Sequence, residues 1–90
     1  MRTEDAYPWI NHYWVDGEWA WQDDTYHWPV QKGDGMIVAR QGYRRFRVVD
    51  VWYSDDNHGR FDIGRHIFLE DVTGAEDDRP GSTAPDYFLE

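Results

Sequence analysis

The chain has 90 residues, no cysteine, and 18 acidic against nine basic side chains, for a net charge of -9. It is 40% hydrophobic and 18% aromatic, with six Trp, six Tyr and four Phe. These figures fit one domain with a small core, exclude a disulfide framework and a thiolate metal site, and leave no apolar run near the ~20 residues of a membrane span.

Read in chain order, Met1-Arg2-Thr3-Glu4-Asp5 has neither the basic nor the apolar region of a signal peptide. The expectation is therefore a soluble, cytoplasmic domain. The first folding signal is His12 to Trp21, centred on Asp16-Gly17. Asp-Gly suits a type I′ turn, whose two central residues need positive φ. Ideal pairing about it sets Val15 opposite Glu18, Trp14 opposite Trp19, Tyr13 opposite Ala20 and His12 opposite Trp21. One face then carries His12, Trp14, Trp19 and Trp21. Over these eight residues the pattern W-x-D-G-x-W-x-W resembles the designed tryptophan-zipper hairpins, which implies cross-strand indole contact and nothing about activity.

Asp23-Asp24 predicts a turn, and Tyr26-His27-Trp28-Pro29-Val30 a short extended segment, because Pro29 disfavours helix at Trp28. Lys32-Gly33-Asp34-Gly35 is a second turn, and Met36 to Arg40 a strand. After Gln41-Gly42 comes the longest strand, Tyr43 to Ser54, then a polar loop, Asp55 to Gly59. Arg60 to Val72 reads as the last strand, bent or broken at Gly64. By parity Phe61, Ile63, Ile67 and Leu69 share a face, interrupted by Arg65. In the long strand Phe46, Val48, Asp50 and Trp52 share one parity and Val49, Val51 and Tyr53 the other; a bulge near Val48-Val49 could switch the inward face, and a strand buried on both faces also fits.

Residues 73–90 carry acids, Gly74, Pro80, Gly81 and Pro85, so no regular element is expected through 73–84. The predicted organisation is one small β domain, residues 1–72, and an irregular acidic tail, residues 73–90. The predicted fold is mainly β. It is a small SH3-like barrel, or a bent antiparallel sheet with an N-terminal Trp-rich hairpin.

High net charge and a mean hydropathy of -0.90 raise disorder as an alternative. The aromatic content argues for a compact domain, because each buried ring removes roughly 150–250 Å2 from water. Charge is distributed in blocks. Residues 1–30 hold six acids and one base, residues 31–66 seven bases and five acids, and residues 67–90 seven acids and one base. Such blocks can pair within a molecule or between molecules.

Several candidate sites follow. Trp14, Trp19, Trp21 and His12 form a hairpin platform for a partner, or serve as core. Tyr87, Phe88 and Leu89 are expected to dock in an apolar groove, with Glu76, Asp77 and Asp78 near arginines such as Arg44 or Arg47. Arg40, Arg44, Arg45 and Arg47, with interleaved aromatics, are the nucleic-acid alternative. A -9 chain repels a polyanion, so ion pairing with the acidic ends is the simpler reading. The acids Glu4, Asp5, Asp16, Glu18, Asp23, Asp24, Glu76, Asp77 and Asp78 could imitate a phosphate backbone or simply supply solubility.

Asp55-Asp56-Asn57-His58 lacks the ligand spacing of a calcium loop, and the four histidines lack that of a zinc site. No nucleophile elbow or phosphate-binding glycine motif is present, and a domain this small seldom encloses a ligand pocket. The expectation is a non-enzymatic protein-interaction module without metal or cofactor, whose partner has a basic surface. It suits a phage or bacterial accessory protein that inhibits or joins a larger machine. Nucleic-acid binding and a self-associating structural subunit are the alternatives.

Overall fold

The computed structural model describes residues 10–24 and 30–88. The hairpin forms as the Asp-Gly signal requires. Strands β1 (Asn11–Val15) and β2 (Glu18–Asp23) flank a turn in which Asp16 and Gly17 have φ of 51° and 88°. Val15 pairs with Glu18 and Trp14 with Trp19. Beyond them the register slips between Tyr13 and Trp14, so Tyr13 faces Trp21, His12 faces Gln22 and Asn11 faces Asp23.

This slip corrects the ideal pairing. An extra residue on one strand sends every side chain past it to the other face. Trp21 therefore leaves the face of Trp14 and stacks on Tyr13, with ring centroids 4.6 Å apart and planes at 12°. The gain is apolar: the ideal register would have faced Tyr13 with Ala20, whereas the bulge brings Trp21 inside against Phe46.

Strand β3 (Gly35–Val38) is followed by a 3-10 turn at Ala39–Gln41 and by β4 (Arg44–Ser54), the longest strand among the described residues. Strand β5 (Gly64–Asp71) completes a five-stranded sheet in the order β2-β1-β5-β4-β3. The mainly β expectation is met: the sheet is curled into a half-barrel. It departs from an antiparallel sheet at one junction, because β1 runs parallel to β5, from Asn11 beside Arg65 to Val15 beside Leu69. The hairpin is thus added to the edge of a β3-β4-β5 meander.

Gly64 makes that junction. Its φ is 135°, and a Cβ there would run into the carbonyl oxygen of Ile10, the residue that leads into β1. The last strand therefore starts at Gly64 rather than Arg60. Phe61 and Ile63 lie in the preceding loop and do not share the face of Ile67 and Leu69. Between Val48 and Asp50 the ladder shifts, so Phe46 and Val48 face the core before Val49 and Val51 after it. This is the bulge that the parity switch predicts.

The inner face holds Tyr13, Trp21, Val30, Phe46, Val48, Ile67 and Leu69. Of the predicted segment 26–30, only Val30 is among the described residues.

After β5 the chain folds back over β4. A short helix, α1 (Arg79–Thr83), corrects the expectation of no regular element through 73–84. Pro80 lies in its first turn, where the missing N–H would have no intrahelical partner anyway. Asp78 caps it by accepting from the Gly81 N–H at 2.9 Å. The Pro-Gly pair reads as a breaker only when that cap is unknown.

Candidate functional site

The outer face of the sheet carries a second aromatic cluster. Alternation places His12 and Trp14 of β1, His66 and Phe68 of β5, and Asp50 and Trp52 of β4 on this side. Across the strands His66 is level with His12 and Trp52, and Phe68 with Trp14 and Asp50. The loop between β4 and β5 folds over them and lays Phe61 on Trp14 and His66, at 5.2 and 5.4 Å between ring centroids. The loop is held by the buried Ser54 hydroxyl, which lies between the carbonyls of Asp56 and Phe61. The Asn57 side chain adds a bond by accepting from the Ile63 N–H at 2.8 Å.

The result is an apolar groove of about 440 Å3, lined among others by Trp52, Tyr53, His58, Phe61, His66 and Phe68. The small domain reaches ligand-pocket size because the groove lies on the outer face and takes nothing from the core. Trp52, Tyr53 and Phe61 are 63%, 66% and 40% exposed. Trp52 is aimed by its own strand: its indole N–H donates to Asp50 Oδ2 at 2.8 Å.

Beneath the groove the floor is fixed. The Trp14 indole can only donate, and it gives its N–H to His66 Nδ1 at 3.0 Å. His66 Nε2 therefore carries the proton, which it donates to the Asp62 carbonyl at 2.7 Å. Both imidazole nitrogens are occupied by the neutral form. Burial is the main cause that pushes the His66 pKa below the ordinary histidine value. His12 stacks on His66 with centroids 4.6 Å apart, and its Nε2 lies 3.3 Å from the Ile63 carbonyl oxygen. With both nitrogens engaged, His66 cannot accept a substrate proton without breaking the bond to Trp14. At His66 the arrangement offers a ring face and shape rather than proton transfer.

The structure does not gather the sequence candidates into one platform. His12 and Trp14 are buried beneath the outer groove, Trp21 is in the inner core, and Trp19 is half exposed on the β2 side. Of the tail residues Phe88 is half-buried under the Arg45 guanidinium, 4.1 Å from its ring centre, and Tyr87 is exposed; Leu89 lies outside the described residues.

The arginines of the nucleic-acid alternative are spent internally. Arg45 is buried and bonded through Nε and Nη2 to Asp78, at 3.0–3.2 Å. Hydrogen bonds from Arg45 hold the Asp78 carboxyl down at about 2, helped by the Gly74 and Gly81 N–H groups and opposed by burial. Arg44 pairs with Asp71 at 2.6 Å and Arg47 with Asp77 at 3.8 Å. Arg40 donates to the Gln22 carbonyl at 3.4 Å.

Trp52, Phe61, His66 and Phe68 were missed by reading the motifs alone. For Trp52, His66 and Phe68 the signal was large rings at β4 and β5 positions whose parity opposes the core; Phe61 comes from the loop and has no such signal. The parity signal becomes legible once the Val49 bulge and the Gly64 start are placed.

Among the described residues no three His, Asp or Glu side chains converge to hold a metal ion, and no helix is long and apolar enough to cross a membrane. Comparison with protein-family models, curated proteins and solved structures finds no match to this chain.

Proposed function

We propose that this chain is a non-enzymatic protein-interaction module that seats a short segment of a partner protein in the outer aromatic groove. The carrying observation is the exposure of Trp52, Tyr53 and Phe61 around a floor held by Trp14 and His66. Each large apolar side chain left in water forgoes about 1.5–3 kcal/mol of burial, a large share of what a domain this size can gather. Rigid rings beside a concave site are the usual anchors of a protein interface. The net charge favours a partner with a basic surface by steering the encounter.

The engagement of Arg44, Arg45 and Arg47 by carboxylates weighs against nucleic acid, since a phosphate would have to displace them. The test compares Trp52→Ala with Trp19→Ala in calorimetric titrations against a panel of short basic, neutral and acidic peptides. The reading expects binding to vanish in the first variant and persist in the second. Loss in Trp19→Ala alone would return the site to the hairpin.

A further inference from the structure

We infer that the groove selects a cationic side chain, the guanidinium or ammonium head of an arginine or lysine on the partner segment. This rests on the groove being the docking site and names what it takes. Three independent features point the same way. The first is the ring faces. Trp52 from β4, Phe61 from the loop and Phe68 from β5 border one concavity, and the face of an aromatic ring is the negative part of its quadrupole.

The second is that the neighbouring Trp14 ring, beneath the groove, already holds a cation. The Arg60 guanidinium lies 5.1 Å from the Trp14 ring centre, and Trp14 in turn packs on Phe61 and Phe68. The same contact recurs in the tail, where Arg45 covers Phe88.

The third is charge. Residues 50–62, which supply six of the lining residues, contain Asp50, Asp55, Asp56 and Asp62 against the single base Arg60, and of these acids Asp55 lines the groove itself. Asp55 lines the groove with its side chain 96% exposed, and its contact there is His58 Nε2 at 3.3 Å. An entering guanidinium can exchange with His58 for that carboxylate while its plane lies on Trp52 or Phe61. An acidic peptide or a nucleic acid would be repelled by these carboxylates, in a chain of net charge -9.

The experiment uses short synthetic peptides identical except for the central side chain: arginine, its uncharged isostere citrulline, or norleucine. Binding is read by NMR from the Trp52 indole N–H and the Phe61 ring resonances. Arginine is expected to bind roughly three- to thirtyfold tighter than citrulline. Asp55→Asn should narrow that ratio, Trp52→Phe should keep it, and Trp52→Ala should abolish binding with the fold intact by its amide spectrum. Equal affinity for arginine and citrulline would overturn the cationic inference and leave an apolar docking groove. Failure of every peptide to bind the unsubstituted protein would overturn both.

Discussion

The two faces of one sheet use the same side-chain chemistry to opposite ends. On the inner face Tyr13, Trp21, Phe46, Val48, Ile67 and Leu69 close on one another. On the outer face Trp14 and His66 are as deeply buried, but Trp52 and Phe61 beside them stay 63% and 40% exposed. The difference lies in what caps each layer. Inside, the curl of the sheet brings β2 and β4 together, so Trp21 reaches Phe46. Outside, among the described residues, a single loop covers part of the sheet and leaves a groove. Aromatic content alone therefore does not mark a core; what matters is whether a second layer closes over it.

Several substitutions would break or sharpen this contrast. The largest effect is expected from Ile67→Ala, which opens a cavity in the inner face and should cost about 2–5 kcal/mol in denaturant unfolding. Asp78→Asn comes next. It strands the buried Arg45 guanidinium and uncaps α1, and should cost roughly 3 kcal/mol. The pH dependence of the same latch has a fixed sign. The folded Asp78 pKa is depressed, so its stabilisation is full above the ordinary carboxylate value and lost as pH falls through about 2.

The floor of the outer groove should yield earlier in acid. Protonating His66 Nδ1 removes the acceptor for Trp14, and the folded pKa is depressed. Its contribution is present above the unfolded value of about 6.5 and lost as pH falls through the lower folded value. Thermal melts between neutral and mildly acidic pH should show the loss, and a His66→Gln variant should flatten it. Gly17→Val, which puts a β-branched residue at φ of 88°, is expected to cost about 1–2 kcal/mol. Smallest is Trp52→Ala, expected within about 1 kcal/mol of the unsubstituted protein because so much of the ring is already in water.

What the sequence reveals follows the range of the forces involved. The Asp16-Gly17 turn and its two adjacent pairs are legible because positive φ is a local demand. The β4 bulge is legible because parity switches within one strand. The slip that sends Trp21 inward is not, since it depends on Tyr13 and Phe46 waiting across the core. Nor is the parallel contact of β1 with β5, which joins segments 54 residues apart, as in Asn11 with Arg65. Asp78 reads as one acid among several until Arg45 is seen beside it. The groove combines both cases: its rings are visible in the sequence, but their shared face depends on the bulge and on Gly64.

The most direct test of the outer groove as the binding face is a two-dimensional amide and indole NMR titration with the arginine-centred peptide. The account predicts that perturbed resonances cluster at Trp52, Phe61, His66 and Phe68, with Trp19 and Arg44 unmoved. Perturbations centred instead on Trp19 and the β2 edge, or on Arg40 to Arg47, would contradict it.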